Sequence, residues 1–198
     1  IRDRLYVVLG NVLFALMSDS TTTAMYSIID SSSLIKKIRI EKLIFPIEKV
    51  LFQLVNFCIS LIAVAIVMVV MHVTPKLSLF ALPLLLLYVV LFSAGVGMAL
   101  SAMAVFFRDV CHLWSVAITA WTYATPLFYP VEILPEWAAP IMQFNPMCHY
   151  VTYFRDIVLQ GAVPGLSENL LCFGGALATF AIGLFIFRKT EKKFILYV

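Results

Sequence analysis

Apolar positions run along this 198-residue chain in long unbroken blocks, not in strict alternation and not in sustained heptads. A helix needs about 20 apolar residues to cross the hydrocarbon core of a bilayer. Five stretches reach that scale: Leu5–Ile29, Val50–His72, Leu77–Phe107, Val110–Tyr129 and Asn169–Phe187. The second and third contain no Asp, Glu, Lys or Arg. The third is longer than a span requires and must tilt or project. The first is the weakest, interrupted by Ser18, Asp19, Ser20 and Thr21 to Thr23. Inside lipid each stretch can satisfy its own backbone only as a helix. The pattern predicts an all-α integral membrane protein with five spans.

Between the fourth and fifth stretches the pattern changes. Pro126, Pro130, Pro135, Pro140 and Pro146 fall there, interleaved with Phe128, Tyr129, Trp137 and Phe144. Proline removes a donor and breaks helices, and aromatic rings prefer the membrane interface. These residues predict short broken pieces at a membrane surface, followed by a half-length helix from Met147 to Gly161 that carries Arg155 and Asp156. We read 137–161 as a re-entrant hairpin, with Arg155 and Asp156 paired at the outer surface. In the third span, Ser93, Gly97 and Ser101, with Gly95 and Ala99 beside them, make a small-residue face. Such faces let helices approach closely, and packing within the chain is expected here in preference to a dimer seam.

Composition agrees with lipid as the solvent. The chain is 63% hydrophobic and 13% charged, against about 45–50% and about 25% in soluble domains. A net charge of +3 gives no reason to expect nucleic acid as a partner. The placement of the cations says more. Lys36, Lys37, Arg39, Lys42, Lys49, Arg108, Arg188, Lys189, Lys192 and Lys193 fall on one side of the predicted spans. Arg2, Arg4, Lys76 and Arg155 fall on the other. By the positive-inside rule the first side, with the C-terminus, is cytoplasmic. Residue 1 is Ile and no signal-peptide pattern follows, so we expect one further span ahead of it, six in all.

Several segments are candidates for function. Asp30 to Pro46 predicts a short amphipathic helix: Ser31 to Ser33 offer a cap, Leu34, Ile35 and Ile38 an apolar strip, and Lys36, Lys37, Arg39 and Lys42 a basic surround. It suits either anionic lipid heads or a protein partner. Arg108 and Asp109 lie where the third span leaves the membrane. Asp19 is an ionisable group inside an apolar stretch, which is costly and a functional candidate for that reason. His72, His112 and His149 have no second ligand at metal spacing, and there is no nucleophile elbow or phosphate-binding loop. The chain has no motif for hydrolysing ATP, so energy would come from a partner or a gradient. Cys58, Cys111, Cys148 and Cys172 show no pairing motif and read as small apolar residues.

The order of "SLIKK" and "FP", then "FFRDV", "TPLFYPVEILP" and "NPMCHYVTYFRDIVLQG" resembles the permease subunit of polysaccharide-exporting ABC transporters, the teichoic acid, O-antigen and capsule exporters. The likeness covers nearly the whole chain. It implies one six-helix permease half, residues 1–198, with the first helix absent here and an extracellular re-entrant region at 126–161. Two copies would form a homodimer, each docking one ATPase subunit that holds ATP and Mg. The segment 30–46 would be the coupling helix, with Ser33, Leu34, Ile35, Lys36, Lys37, Ile38, Arg39, Phe45 and Pro46 at the ATPase. Arg108 and Asp109 would sit at the cytoplasmic mouth. Tyr123, Thr125, Pro126, Phe128, Tyr129, Pro130, Asn145, Pro146 and Arg155 would form the extracellular cap and pathway. The cargo would be a lipid-linked glycan, moved across the bacterial cytoplasmic membrane. A permease for drugs or small lipids is the alternative; a membrane-embedded enzyme on lipid-linked sugars, or a channel, fits the residues less well.

Overall fold

The computed structural model describes residues 2–37, 40–70, 77–127, 142 and 144–194. Among them the chain is helical, with no strand. The order is α1 (Arg2–Asp30), α2 (Ser32–Lys37), α3 (Ile44–Val70), a 3-10 turn (Leu77–Ala81), α4 (Leu82–Phe106), α5 (Val110–Ala124), α6 (Pro146–Arg155) running into a wide turn (Asp156–Gln160), then α7 (Leu166–Thr190) and a last 3-10 turn (Glu191–Lys193). Four helical stretches are long and apolar enough to span a membrane: Arg4–Lys37, Ile44–Val70, Ser78–Phe106 and Leu166–Lys193.

The polar interruption in the first stretch does not break α1. Several of its hydroxyls bond back onto the preceding turn, which satisfies them without leaving the helix, while the Ser20 hydroxyl is buried with no partner among the described residues. Thr21 Oγ1 donates to Met17 O at 2.9 Å, Thr23 Oγ1 to Asp19 O at 2.7 Å and Ser27 Oγ to Ala24 O at 2.6 Å. The fourth stretch is shorter than its hydropathy predicts. α5 stops at Ala124 because Thr125 precedes Pro126, and a residue before proline is driven out of the helical region. Thr125 is extended, at φ −101° and ψ 134°. The 15 residues of α5 cover about 22 Å, less than the ~30 Å of a full crossing. Among the described residues four helices thus reach spanning length, with α5 a shorter fifth helix.

α4 is the central post, packed by α7, α1 and α3. One ridge of α1, Leu5, Leu9, Leu13 and Met17, steps by four residues and is fully buried against it and its neighbours. The small residues on α4 serve contacts within the chain, as expected. A Cβ on Gly97 would meet the Ala24 Cβ of α1 at 2.7 Å, and one on Gly95 would meet the Thr179 backbone of α7 at 2.5 Å. On the other side of that crossing, a Cβ on Gly183 would collide with the Gly95 carbonyl. Both backbones approach too closely for any side chain. The outer face of α3 is apolar and open, with Ile59, Ile62 and Ile66 at least 60% exposed, as a lipid-facing surface should be.

Gly183→Ala should therefore cost on the order of 1–3 kcal/mol by overpacking and lower the thermal midpoint in mild detergent. Gly174→Ala, at a glycine with nothing within 4 Å, should leave it unchanged.

Candidate functional site: the two ends of the bundle

At one end, an apolar cluster gathers Ile28 of α1, Ile35 of α2, Met98, Ala102 and Val105 of α4, Phe187 of α7 and Phe194 beyond it. This cluster seats the basic segment. α2 is six residues long, shorter than the 30–46 helix expected, since Ile40 is already outside it and α3 begins at Ile44. Pro46 lies in the first turn of α3, where its missing N–H costs nothing. Ile35 is buried, whereas Ser33, Leu34, Lys36 and Lys37 are exposed; Phe45 is half-buried and Pro46 buried. Ile38 and Arg39 lie outside the described residues. One apolar anchor thus presents a polar, basic surface outward.

The C-terminal segment braces that surface. Lys42 Nζ donates to Glu191 O at 2.6 Å and stands 5.7 Å from the Phe194 ring centre. The Phe194 ring is fully buried and stacks edge-on against Phe187, with centroids 5.3 Å apart. At the same end the turn between α4 and α5 exposes Arg108 and Asp109. No ion pair joins them among the described residues; the pair present there is Lys49 with Glu48, at 3.4 Å.

At the opposite end α6 is held by a polar knot. Asn145 caps α6 by accepting from Met147 N at 3.1 Å. Its Oδ1 also accepts from Trp121 Nε1 at 2.9 Å, and its Nδ2 donates to Thr125 Oγ1 at 3.0 Å. One asparagine therefore ties the start of α6 to the end of α5, and Pro146 behind it supplies a helix-ready φ. Tyr153 Oη donates to Asn169 Oδ1 at 2.7 Å, which joins α6 to α7.

Arg155 lies at the centre of this end and is only 3% exposed. It does not pair with Asp156, contrary to expectation. Its Nη1 donates to Pro126 O at 2.9 Å, its Nη2 to Leu127 O at 3.0 Å and its Nε to Tyr6 O at 3.2 Å. Its guanidinium carbon lies 3.4 Å from the Tyr6 ring centre. The reason is geometric: α5 ends before Pro126, the carbonyls of Pro126 and Leu127 face the guanidinium, and that planar group meets several acceptors at once. Gly10 makes the room, because a Cβ there would lie 2.5 Å from Nη2. Asp156 turns away and accepts from Gln160 Nε2 at 2.7 Å. Burial first, and then the nearby Glu168 carboxylate, push its carboxyl above the ordinary Asp range.

The structure thus brings Thr125, Pro126, Asn145, Pro146 and Arg155 together, and leaves Tyr123 at 71% exposure on α5. Phe128, Tyr129 and Pro130 lie outside the described residues. The partners that sequence reasoning missed are Tyr6, Gly10 and Trp121. Gly10 inside an apolar helix was the one available signal.

These features define a polytopic helical membrane protein with exposed basic residues at one end and a buried arginine at the other. The chain matches the ABC-2 type transporter family over residues 1–159, and it belongs to that family. It is similar to two O-antigen export system permease proteins of Klebsiella pneumoniae. One is 27% identical over 190 residues, 96% of this chain and 73% of the relative. The second is 25% identical over 191 residues, again 96% and 73%. A further O-antigen export system permease protein, from Myxococcus xanthus, is 27% identical over 140 residues, 70% of this chain and 54% of the relative.

Removing the Arg155 side chain would take the guanidinium donor from the two non-helical carbonyls, Pro126 O and Leu127 O, at about 1–3 kcal/mol each. Arg155→Ala should therefore lower the detergent thermal midpoint far more than Asp156→Ala. Gly10→Ala should lower it too, and the double variant should be less destabilised than the sum of the singles, because both changes remove the same contact.

Proposed function

We propose that this chain is the transmembrane subunit of an ATP-driven exporter that moves a lipid-linked polysaccharide, of O-antigen, teichoic acid or capsule type, across the bacterial cytoplasmic membrane. The observation that carries this is family membership over residues 1–159, combined with similarity to O-antigen export permeases over 96% of the chain. In this reading the chain contributes to a six-helix permease half with an extracellular re-entrant region. The basic end of the bundle is cytoplasmic and includes the C-terminus. Two copies form a homodimer, and each docks an ATPase subunit that supplies ATP and Mg; hydrolysis takes place there and not on this chain.

The residues fit these roles physically. α2 is the coupling element: Ser33, Leu34, Lys36 and Lys37 face outward for the ATPase, while Ile35 transmits load to the cluster that includes Phe187 and Phe194. Lys42, fastened to Glu191 O, makes the segment and the end of α7 move together. Arg108 and Asp109 stand at the cytoplasmic mouth. The region 126–161 is the extracellular cap, held by Arg155 and Asn145, and aromatic faces such as Tyr123, Phe128 and Tyr129 suit sugar rings at the exit.

Co-expression of the full-length protein with the ATPase encoded beside it should yield a complex, at equal stoichiometry and with ATPase activity, on purification through a tag on this subunit. The triple change Lys36→Glu, Lys37→Glu and Arg39→Glu should leave insertion intact and abolish glycan export. Undiminished ATPase binding and export in that variant would sink the coupling assignment.

A further inference from the structure

α1 and α3 share a seam whose outward side is polar where lipid would favour apolar residues. On α3, Lys49, Gln53, Asn56 and Ser60 step by four, three and four residues and so share one face. Facing them on α1 are Asp19, Thr22, Thr23, Tyr26 and Asp30. Two cavities follow the seam. One, of about 320 Å³, is lined by Thr22, Thr23, Tyr26, Asp30, Lys49 and Gln53, with Phe52. The other, of about 110 Å³, is lined by Asp19, Gln53, Asn56 and Ser60, with apolar walls. Gln53 belongs to both, so the two are consecutive, and from Asp30 to Asp19 they extend about 16 Å along α1 at the rise of an α-helix.

The functional groups here are arranged for a ligand more than for one another. Gln53 Oε1 accepts from Asn56 Nδ2 at 3.0 Å, which fixes both amides and leaves Gln53 Nε2 to donate and Asn56 Oδ1 to accept. Among the described residues nothing donates to the Asp19 carboxylate; the nearby Thr23 hydroxyl is spent on backbone carbonyls. A carboxylate at that depth needs a hydroxyl or water partner. Planar amides and a carboxylate that alternate donor and acceptor suit vicinal sugar hydroxyls, each of which both gives and takes a proton. They suit phosphate less: no arginine lines either cavity, and a single lysine, Lys49, lines one of them.

Resting on the export reading, we propose that the α1–α3 seam is a binding track for the uncharged, hydroxyl-rich sugar portion of the cargo, with Asp19, Gln53 and Asn56 as its central subsite and the phosphate of the lipid carrier held elsewhere.

The test places single cysteines in the full-length protein, assembled with its ATPase, in a background whose four native cysteines are replaced and whose export is verified. Asn56→Cys and Ser60→Cys lie on the track; Ile59→Cys and Ile62→Cys lie on the outer apolar face. A sulfonated maleimide reacts with thiolate, which needs water. Positions 56 and 60 should label much faster than 59 and 62. In cells that accumulate the completed lipid-linked glycan behind an ATPase unable to hydrolyse ATP, labelling at 56 should slow several-fold. In cells blocked at the first sugar transfer, which hold the carrier without glycan, it should not slow, and Asp19→Asn should remove the protection. Equal labelling at all four positions would overturn the track. Labelling unaffected by glycan, or slowed equally by the bare carrier, would overturn the sugar assignment. Failure of the export reading itself shows separately, as glycan export that persists when the protein is deleted.

Discussion

Hydrocarbon offers a backbone carbonyl nothing to bond to, and the arrangement of this chain follows from how it meets that constraint where its helices stop. Long helices satisfy themselves, and α1, α3, α4 and α7 do so. The difficulty arises at Pro126, where α5 ends short of a full crossing and the carbonyls of Pro126 and Leu127 are left facing inward. Arg155 answers it. One guanidinium takes both of these and the Tyr6 carbonyl, at 2.9 to 3.2 Å. Among the described residues no carboxylate pairs with this buried cation, which is costly, but three carbonyl dipoles and the face of Tyr6 compensate it. The contact joins α1, the end of α5 and α6, three elements far apart in the sequence. The position of α6 therefore depends on it, with Asn145 as the second fastening.

The other end solves a different problem with apolar contact. A six-residue helix has no stability of its own, and α2 holds its place through Ile35, Phe194 and their neighbours. Its lysines can then be presented as a rigid surface. Both ends lean on α4, whose glycines allow α7 and α1 to lie backbone to backbone. A push on α2 in the proposed exporter would thus pass into closely packed helices, which transmit displacement with little give.

Much of this was legible in the pattern of residues. The apolar blocks marked the spanning helices, Pro126 marked the end of α5 and Pro146 the start of α6; the rest of the predicted hairpin, 128–141 and 143, lies outside the described residues. Family motifs spread along the chain pointed to the transporter class that the ABC-2 match supports. The length of α5 was misread because hydropathy continues to Tyr129 while Pro126 has already ended the helix. Arg155 was misread for a more general reason. Its partners are backbone carbonyls of Tyr6, Pro126 and Leu127, and a carbonyl leaves no trace in the identity of its residue; Asp156, next in the chain, was the natural but wrong partner. Asp19 stood out as a charge in an apolar stretch. Its neighbours across the seam, Gln53 and Asn56, did not, since a period of three and four residues on a second helix acquires meaning only once the two helices are seen side by side.

The central claim is that this subunit provides the membrane passage for a lipid-linked polysaccharide driven by ATP. The most direct measurement is reconstitution of the full-length protein with its ATPase into vesicles that carry the lipid-linked glycan on the ATPase-exposed leaflet alone, followed by a glycan-binding lectin enclosed in the lumen. The account predicts that the lectin captures glycan when ATP is added and not when ADP is. Steady ATP hydrolysis with no glycan reaching the lumen would contradict it.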